Sequence, residues 1–271
     1  MVYQKIILIG QATIALNILK NLLEYRHFIC VISYKPHNLC ILKTFCQSNK
    51  LSYQSYEDSA PLSEFLYSLN SKTLIISANN NYIFPNNILS KTNLKIINFH
   101  NALLPLHKGV NAPIWSIYNQ EKTTGITWHL VSCELDSGDI IIQKEIPLSP
   151  DINSFKLIQL LMELGLEAFL EIKQDLLNDT LSSTPMPKSL LNPHKSNDLP
   201  NSGFLEIEWE KEKISAFLRS MDSGGIMPKP KIHLCKMEYF IIKYSIDKPI
   251  SGSILLSKNN IHMLLGGGGA R

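Results

Sequence analysis

Apolar residues along this chain fall into two alternating kinds of run. KIILIG (5–10), FICVIS (28–33), TLIISA (73–78) and KIINFH (95–100) are short and nearly unbroken, as in strands buried on both faces of a parallel sheet. Between them, TIALNILKNLLEY (13–25), ILKTFCQSN (41–49) and LSEFLYSL (62–69) space their apolar residues at the helical period, with Thr13 placed to cap the first. This alternation predicts a doubly wound, Rossmann-like α/β sheet with right-handed crossovers. GITWHLVS (125–132) and DIIIQKEIPL (139–148) read as two further strands, a hairpin-like pair joined by the turn-rich CELDSG. SFKLIQLLMELGLEAFLEIKQDLL (154–177) is a long amphipathic helix that covers the sheet, with Asp151, Asn153 or Ser154 as its cap.

The pattern weakens after residue 177. Residues 178–202 are rich in Pro, Ser and Asn and read as a surface linker. A short helix at 211–222 and small strands in YFIIKYSI, SGSILLS and NIHMLLG predict a small C-terminal β-rich, OB-like domain over 203–265. The glycine run that follows has nothing to pack, so 266–271 are expected to form a disordered tail. Residues 1–177 are left as the larger, α/β domain.

Composition narrows the function classes. The net charge is +3, too mild to single out nucleic acid. Five cysteines, with no CxxC pair, supply neither zinc spacing nor a disulfide framework and suit buried thiols in a reducing cytoplasm. No apolar run is long enough for a membrane span, and the short one at the N-terminus reads as a strand rather than a signal peptide. Gly10 is followed by Gln-Ala-Thr, so the GxGxxG dinucleotide fingerprint is missing.

Chemistry concentrates where strands should end. Asn98 and His100 are two apart on one strand and share a face, while Phe99 points to the other. Asp136 lies in the link between the next two strands. Amide, imidazole and carboxylate together hold the parts for acyl transfer: a donor to an oxyanion, a proton carrier, and a group that sets the carrier's tautomer or takes a proton. Taken singly, each has a bland reading as a hydrogen-bonded turn. No Gly-x-Ser-x-Gly elbow exists, and Cys133, four residues from His129, is the one thiol near a motif histidine, so a covalent mechanism is less supported. In open α/β sheets ligands sit at the carboxyl ends of strands, so Gly10, Asn79–Asn81 and Asn98–Asn101 should cluster.

NFHNALLP, HKGVNAPIWSI, GITWH and ELDSGDIIIQKEI, in that order, resemble the folate-dependent formyltransferase family, whose members act on methionyl-tRNA, glycinamide ribonucleotide or amino sugars. Asp136 follows Asn98 by 38 positions, which fits the family's Asn-x-His and later Asp-x-Gly. The resemblance implies Asn98, His100 and Asp136 as catalytic residues and 10-formyltetrahydrofolate as cosubstrate, with no metal. It implies a folate pocket made largely of backbone at 78–85 and 132–136, giving Asn80, Asn81, Ile83, Ser132, Cys133 and Glu134 as its candidates. Asp139 is expected to be structural.

The acceptor is less defined. Thr127–His129 and APIWSI resemble formyltransferases of natural-product and amino-sugar pathways, and 203–234 resembles the segment that follows this domain in nonribosomal-peptide assembly lines. The expected acceptor is therefore a small-molecule primary amine, on a nucleotide sugar or on an aminoacyl group held by a carrier protein. Lys108, Asn111 and Trp115 are its candidate contacts. A methionyl-tRNA acceptor and a 10-formyltetrahydrofolate hydrolase stand as alternatives; the C-terminal segment is small and weakly basic for tRNA.

Overall fold

The computed structural model describes residues 1–36 and 40–270. It divides into two compact units: Met1–Lys108, Gly125–Glu145 and Leu161–Asn192 form one, and Gly109–Thr124, Ile146–Leu160 and the chain from Pro193 form the other.

The first unit is built on a sheet of β1 (Lys5–Gly10), β2 (Ile29–Tyr34), β3 (Ser52–Tyr56), β4 (Thr73–Ala78), β5 (Leu94–His100), β6 (Thr123–Leu130) and β7 (Ile140–Pro147). Its spatial order is β3-β2-β1-β4-β5-β6-β7. The first five strands are parallel, and β6 runs antiparallel to β5. The helices in chain order are α1 (Ala12–Asn21), α2 (Ile41–Ser48), α3 (Ser59–Tyr67), α4 (Asn86–Leu89), α5 (Ala112–Tyr118), α6 (Ser154–Asn178) and α7 (Lys211–Met221). The unbroken apolar runs behave as their pattern predicts: β1, β2 and β4 are buried along almost their whole length. Two expectations change. Gln11, not Thr13, holds the N-cap of α1, and the Thr13 hydroxyl points instead at Met162 Sδ, 3.4 Å away. The polar SYQSY segment, which shows no apolar run, is edge strand β3, held by its backbone register to β2.

Each face of this sheet is packed differently. One carries Ile7, Ile9, Ile32, Ile75, Leu62 and Leu66, with Tyr82 and Phe84 from the loop after β4. Elsewhere Phe99 of β5 packs on Trp128 of β6, with ring centroids 5.5 Å apart, and Trp128 packs on Phe169 of α6 at 5.6 Å. The Trp128 indole N–H donates to the Gly165 carbonyl at 2.8 Å. A Cβ on Gly165 would fall 2.2 Å from the Phe99 ring, so α6 comes this close to the sheet only because residue 165 has no side chain.

In the second unit, β8 (Phe204–Leu205), β9 (Lys231–Leu234), β10 (Met237–Ile246), β11 (Leu255–Lys258) and β12 (Ile261–Ala270) form a sheet in the order β11-β12-β10-β9-β8. Only β8 and β9 pair in parallel. Ile214, Phe217, Leu218 and Met221 of α7 close its core against Ile232, Ile241, Ile261 and Met263. β12 continues beyond Leu265 through the glycine run, where Gly269 pairs with Glu238 and Ala270 with Met237. The backbone of these glycines hydrogen-bonds even though they bring no side chain to pack.

Gly165→Ala should lower stability by about 1–2 kcal/mol in urea denaturation. Helix propensity alone would raise it by about 1 kcal/mol, but overpacking against Phe99 outweighs that gain. A stabilised variant would mean that α6 does not pack this tightly on Phe99.

Candidate active site

Three adjacent strands build the centre of the site. Ser77 of β4 lies in register with Asn98 of β5, and Asn98 lies opposite His129 of β6. Residues paired this way share a face. His100, two positions on from Asn98, joins them. Phe99 points away into the aromatic packing, as its position predicts.

Hydrogen bonding then fixes which way each polar group faces. His129 Nδ1 sits 2.8 Å from the Leu130 carbonyl, which can only accept, so Nδ1 carries the proton. In the neutral ring Nε2 is then an acceptor. It lies 3.2 Å from Asn98 Nδ2, which must donate. Asn98 Oδ1 in turn accepts from the Ser77 hydroxyl at 2.7 Å. An amide nitrogen has two N–H groups, and the second one of Asn98 has no partner among the described residues. His100 is set the opposite way. Its Nε2 donates to the His107 carbonyl at 2.9 Å, so Nδ1 is the nitrogen that gains or loses a proton.

Asp136 lies between the two rings. Its Oδ2 is 3.5 Å from His100 Nδ1 and its Oδ1 is 3.5 Å from His129 Nε2. The loop that delivers it is tightly shaped. Asp136 has a left-handed backbone, φ 47°. Gly138 returns so close to β6 that a Cβ would fall 1.9 Å from the Leu130 carbonyl. Beyond His100, Thr127 Oγ1 donates to the Ala102 carbonyl at 2.7 Å and accepts from Leu104 N–H at 3.0 Å, and Gln143 donates to the Leu104 carbonyl at 2.8 Å. The chain after β5 is thereby tied to β6 and β7.

All three charge-bearing groups are buried: His100 is 5% exposed, His129 2% and Asp136 9%. Burial pushes the His100 imidazole below the ordinary histidine range; the Asp136 carboxylate opposes that shift, and His129 adds to it.

The other predicted residues fall in varied places. The Asn80 side chain is occupied by its own loop: Oδ1 accepts from Tyr82 N–H at 3.0 Å, and Nδ2 donates to the Tyr82 carbonyl at 3.3 Å and to Ser77 Oγ at 3.4 Å. Asn81, Ile83, Cys133 and Glu134 are exposed, and the Ser132 hydroxyl donates to the Glu134 carbonyl. Lys108, expected to reach an acceptor, is instead buried at 6% exposure, and its Nζ donates to Ser137 Oγ at 2.6 Å. Asn111 and Trp115 belong to the second unit. Asn111 is left-handed, φ 63°, and its carbonyl begins α5. Trp115 stacks on His194 at 4.6 Å and lines a cavity of about 360 Å³ with Asn197, Asp198, Leu199 and Ser202. Asp139 takes the Leu130 N–H on its backbone carbonyl, and its carboxylate accepts from Ser183 at 3.5 Å.

His129 and Ser77 are members of the candidate site that spacing alone does not reveal, because cross-strand pairing brings them in. Alternation along GITWHL does carry a signal for His129: Thr127 and His129 share one face, and Trp128 takes the other. Among the described residues no group of three His, Cys, Asp or Glu side chains could hold a metal, and no helix is long and apolar enough to cross a membrane.

A Rossmann-like sheet with an Asn-x-His strand and a buried carboxylate beside it defines a class, and comparison supplies the family. Residues 4–172 match the model of the formyl transferase family. The chain belongs to that family. It is 35% identical over 115 residues to a methionyl-tRNA formyltransferase of Acetivibrio thermocellus, covering 42% of this chain and 37% of that one. It is 25% identical over 148 residues to a GDP-perosamine N-formyltransferase of Brucella melitensis, covering 55% and 56%. A solved N-formyltransferase from Helicobacter canadensis, in complex with folinic acid and dTDP-3-aminofucose, superposes with a TM-score of 0.75 at 20% identity, over 97% of this chain and 95% of that one. The chain thus spans well under half the length of the methionyl-tRNA relative.

A histidine kept neutral by burial takes up a proton on unfolding once the pH falls below about 6.5. Its stabilising contribution is therefore complete above that pH and is lost as pH falls. The unfolding free energy of the ligand-free protein should drop between pH 7.5 and 5.5, and His100→Gln should lose measurably less over the same interval. Equal losses in both proteins would exclude His100 as the group responsible.

Proposed function

We propose that this chain is a folate-dependent N-formyltransferase that formylates the primary amine of an amino sugar carried on a nucleotide. The carrying observation is the buried Asn98–His129–Asp136–His100 cluster at the carboxyl end of β5, in a chain of the formyl transferase family.

The residues present fit the donor. When bound, 10-formyltetrahydrofolate supplies the formyl carbon that the amine attacks. Loops 79–85 and 131–139 flank the cluster, since Asn80 bonds Ser77 and Asp136 meets both imidazoles. They leave Ile83 (73%) and Leu135 (43%) exposed, apolar surface that a flat pterin ring would cover. Asn80, Asn81, Ile83, Ser132, Cys133 and Glu134 are assigned to that pocket mainly through their backbone.

Each polar group then has a task. The second N–H of Asn98 donates to the formyl oxygen as negative charge builds there. His129 holds the amide so that an N–H, and not the carbonyl, is presented. Asp136 accepts the proton that the amine gives up, and His100, with Nδ1 facing that carboxylate, shares it; the proton goes on to the folate N10 as the formyl C–N10 bond breaks. Donation by His100 to the formyl oxygen would require its Nε2–H to leave the His107 carbonyl. Holding both substrates in line supplies much of the remaining rate.

An amino-sugar acceptor is supported by the relatives that match most of the chain. The Helicobacter canadensis enzyme, solved with a dTDP-linked aminofucose, aligns over nearly both whole chains. Asn111 and Trp115 are nominated as acceptor contacts by the sequence alone. A methionyl-tRNA acceptor is the second reading, favoured by the higher identity over the N-terminal part.

Tetrahydrofolate release should require a nucleotide-linked amino sugar. Asn98→Ala, His100→Ala and Asp136→Asn should each lower it at least ~100-fold, through lost oxyanion and proton-transfer terms. Near-wild-type rates in these variants would remove the site assignment. Release with no amine present would mark a hydrolase, and release only with methionyl-tRNA would move the acceptor to the second reading.

A further inference from the structure

We propose that Lys108 is a positioning residue that locks the two halves of the His100–Asp136 pair together, and not a contact for the acceptor. The proposal deepens the formyl-transfer reading of the same site.

A lysine is almost never fully buried without a partner. Lys108 is 6% exposed, and its ammonium ends on Ser137 Oγ at 2.6 Å. Ser137 Oγ passes a hydrogen bond on to the Leu135 carbonyl at 3.0 Å. Leu135 and Ser137 are the residues on either side of Asp136, so the lysine grips the turn that carries the carboxylate.

The other end of Lys108 is fixed just as closely. The peptide joining His107 to Lys108 carries the carbonyl that takes His100 Nε2–H at 2.9 Å. His107 is left-handed there, φ 50°, and Asp136 is left-handed in its own turn, φ 47°. Two strained turns therefore each orient one member of a 3.5 Å pair, and one side chain spans between them. Such a pair tolerates little misplacement, because proton transfer needs its groups within hydrogen-bond reach.

The chemistry of the strut is specific. Lys108→Met keeps most of the stem's bulk and removes the ammonium. Ser137→Ala removes the oxygen that receives it. Both cut the same link, so their effects should not add.

The test uses the full-length chain and two readouts. The first needs no substrate: ring-nitrogen NMR shifts of His100 in ligand-free protein at pH 7.5, assigned by loss in His100→Gln. Wild type should show a single Nε2–H form, and both Lys108→Met and Ser137→Ala should shift His100 towards mixed tautomers. The second is turnover with 10-formyltetrahydrofolate and a dTDP-linked amino sugar. kcat should fall on the order of 10- to 100-fold in each variant while the amine KM stays within about twofold, with the double variant no worse than the more impaired single one. If Lys108→Met does not fold, Ser137→Ala carries the same test. Unchanged His100 shifts, or a rise of about tenfold or more in amine KM at constant kcat, would overturn the proposal. Wild-type inactivity with every nucleotide-linked amino sugar would instead count against the acceptor reading and leave the NMR result to decide the role of Lys108.

Discussion

Two main-chain carbonyls, those of Leu130 and His107, determine which way every polar group of the buried cluster faces. A carbonyl accepts and never donates, so each commits one nitrogen of a histidine to carrying a proton. From Leu130 the order passes to His129, then to the Asn98 amide, then to Ser77. From His107 it passes to His100 and leaves Nδ1 facing Asp136. An unpartnered buried polar group is costly, and the hydrogen bonds of both histidines to main-chain carbonyls offset part of that cost. The antiparallel step from β5 to β6 is the structural condition for all of this, because it puts His129 opposite Asn98.

That condition explains why some of the molecule is legible in its sequence and some is not. Strands β1, β2, β4 and β5 announce themselves as apolar runs, since burial on both faces leaves no place for alternation. The long helix α6 is equally plain, and the structure extends it only to Asn178. Edge strand β3 is not plain: SYQSY has no apolar pattern, and its place comes from backbone pairing with β2. The Asn98 and His100 face can be read from period-2 geometry, and the resemblance to the formyltransferase family points to Asp136 as its partner. The role of His129 needs the register of two strands, which spacing within either one does not encode. Lys108 reads from the sequence as an acceptor contact, and only the fold shows the serine that receives it. Likewise, no change in composition marks Gly109–Thr124 or Ile146–Leu160 as chain that groups with the C-terminal unit.

The family match runs across both compact units. The family model ends at residue 172, and the triad lies within it. Trp115 and the cavity it lines belong to the second unit, whose sheet core is drawn from 205–265.

The central claim is that opposed carbonyls hold the two histidines in opposite tautomers, leaving one Asn98 N–H for the reacting oxygen. The most direct measurement is the imidazole nitrogen spectrum of ¹⁵N-histidine-labelled, ligand-free protein near neutral pH, with His100 and His129 assigned by substitution. His129 should carry its proton on Nδ1, facing the Leu130 carbonyl, and His100 on Nε2, facing the His107 carbonyl. Finding His129 as the Nε2–H form, which would turn the Asn98 amide around, would contradict it.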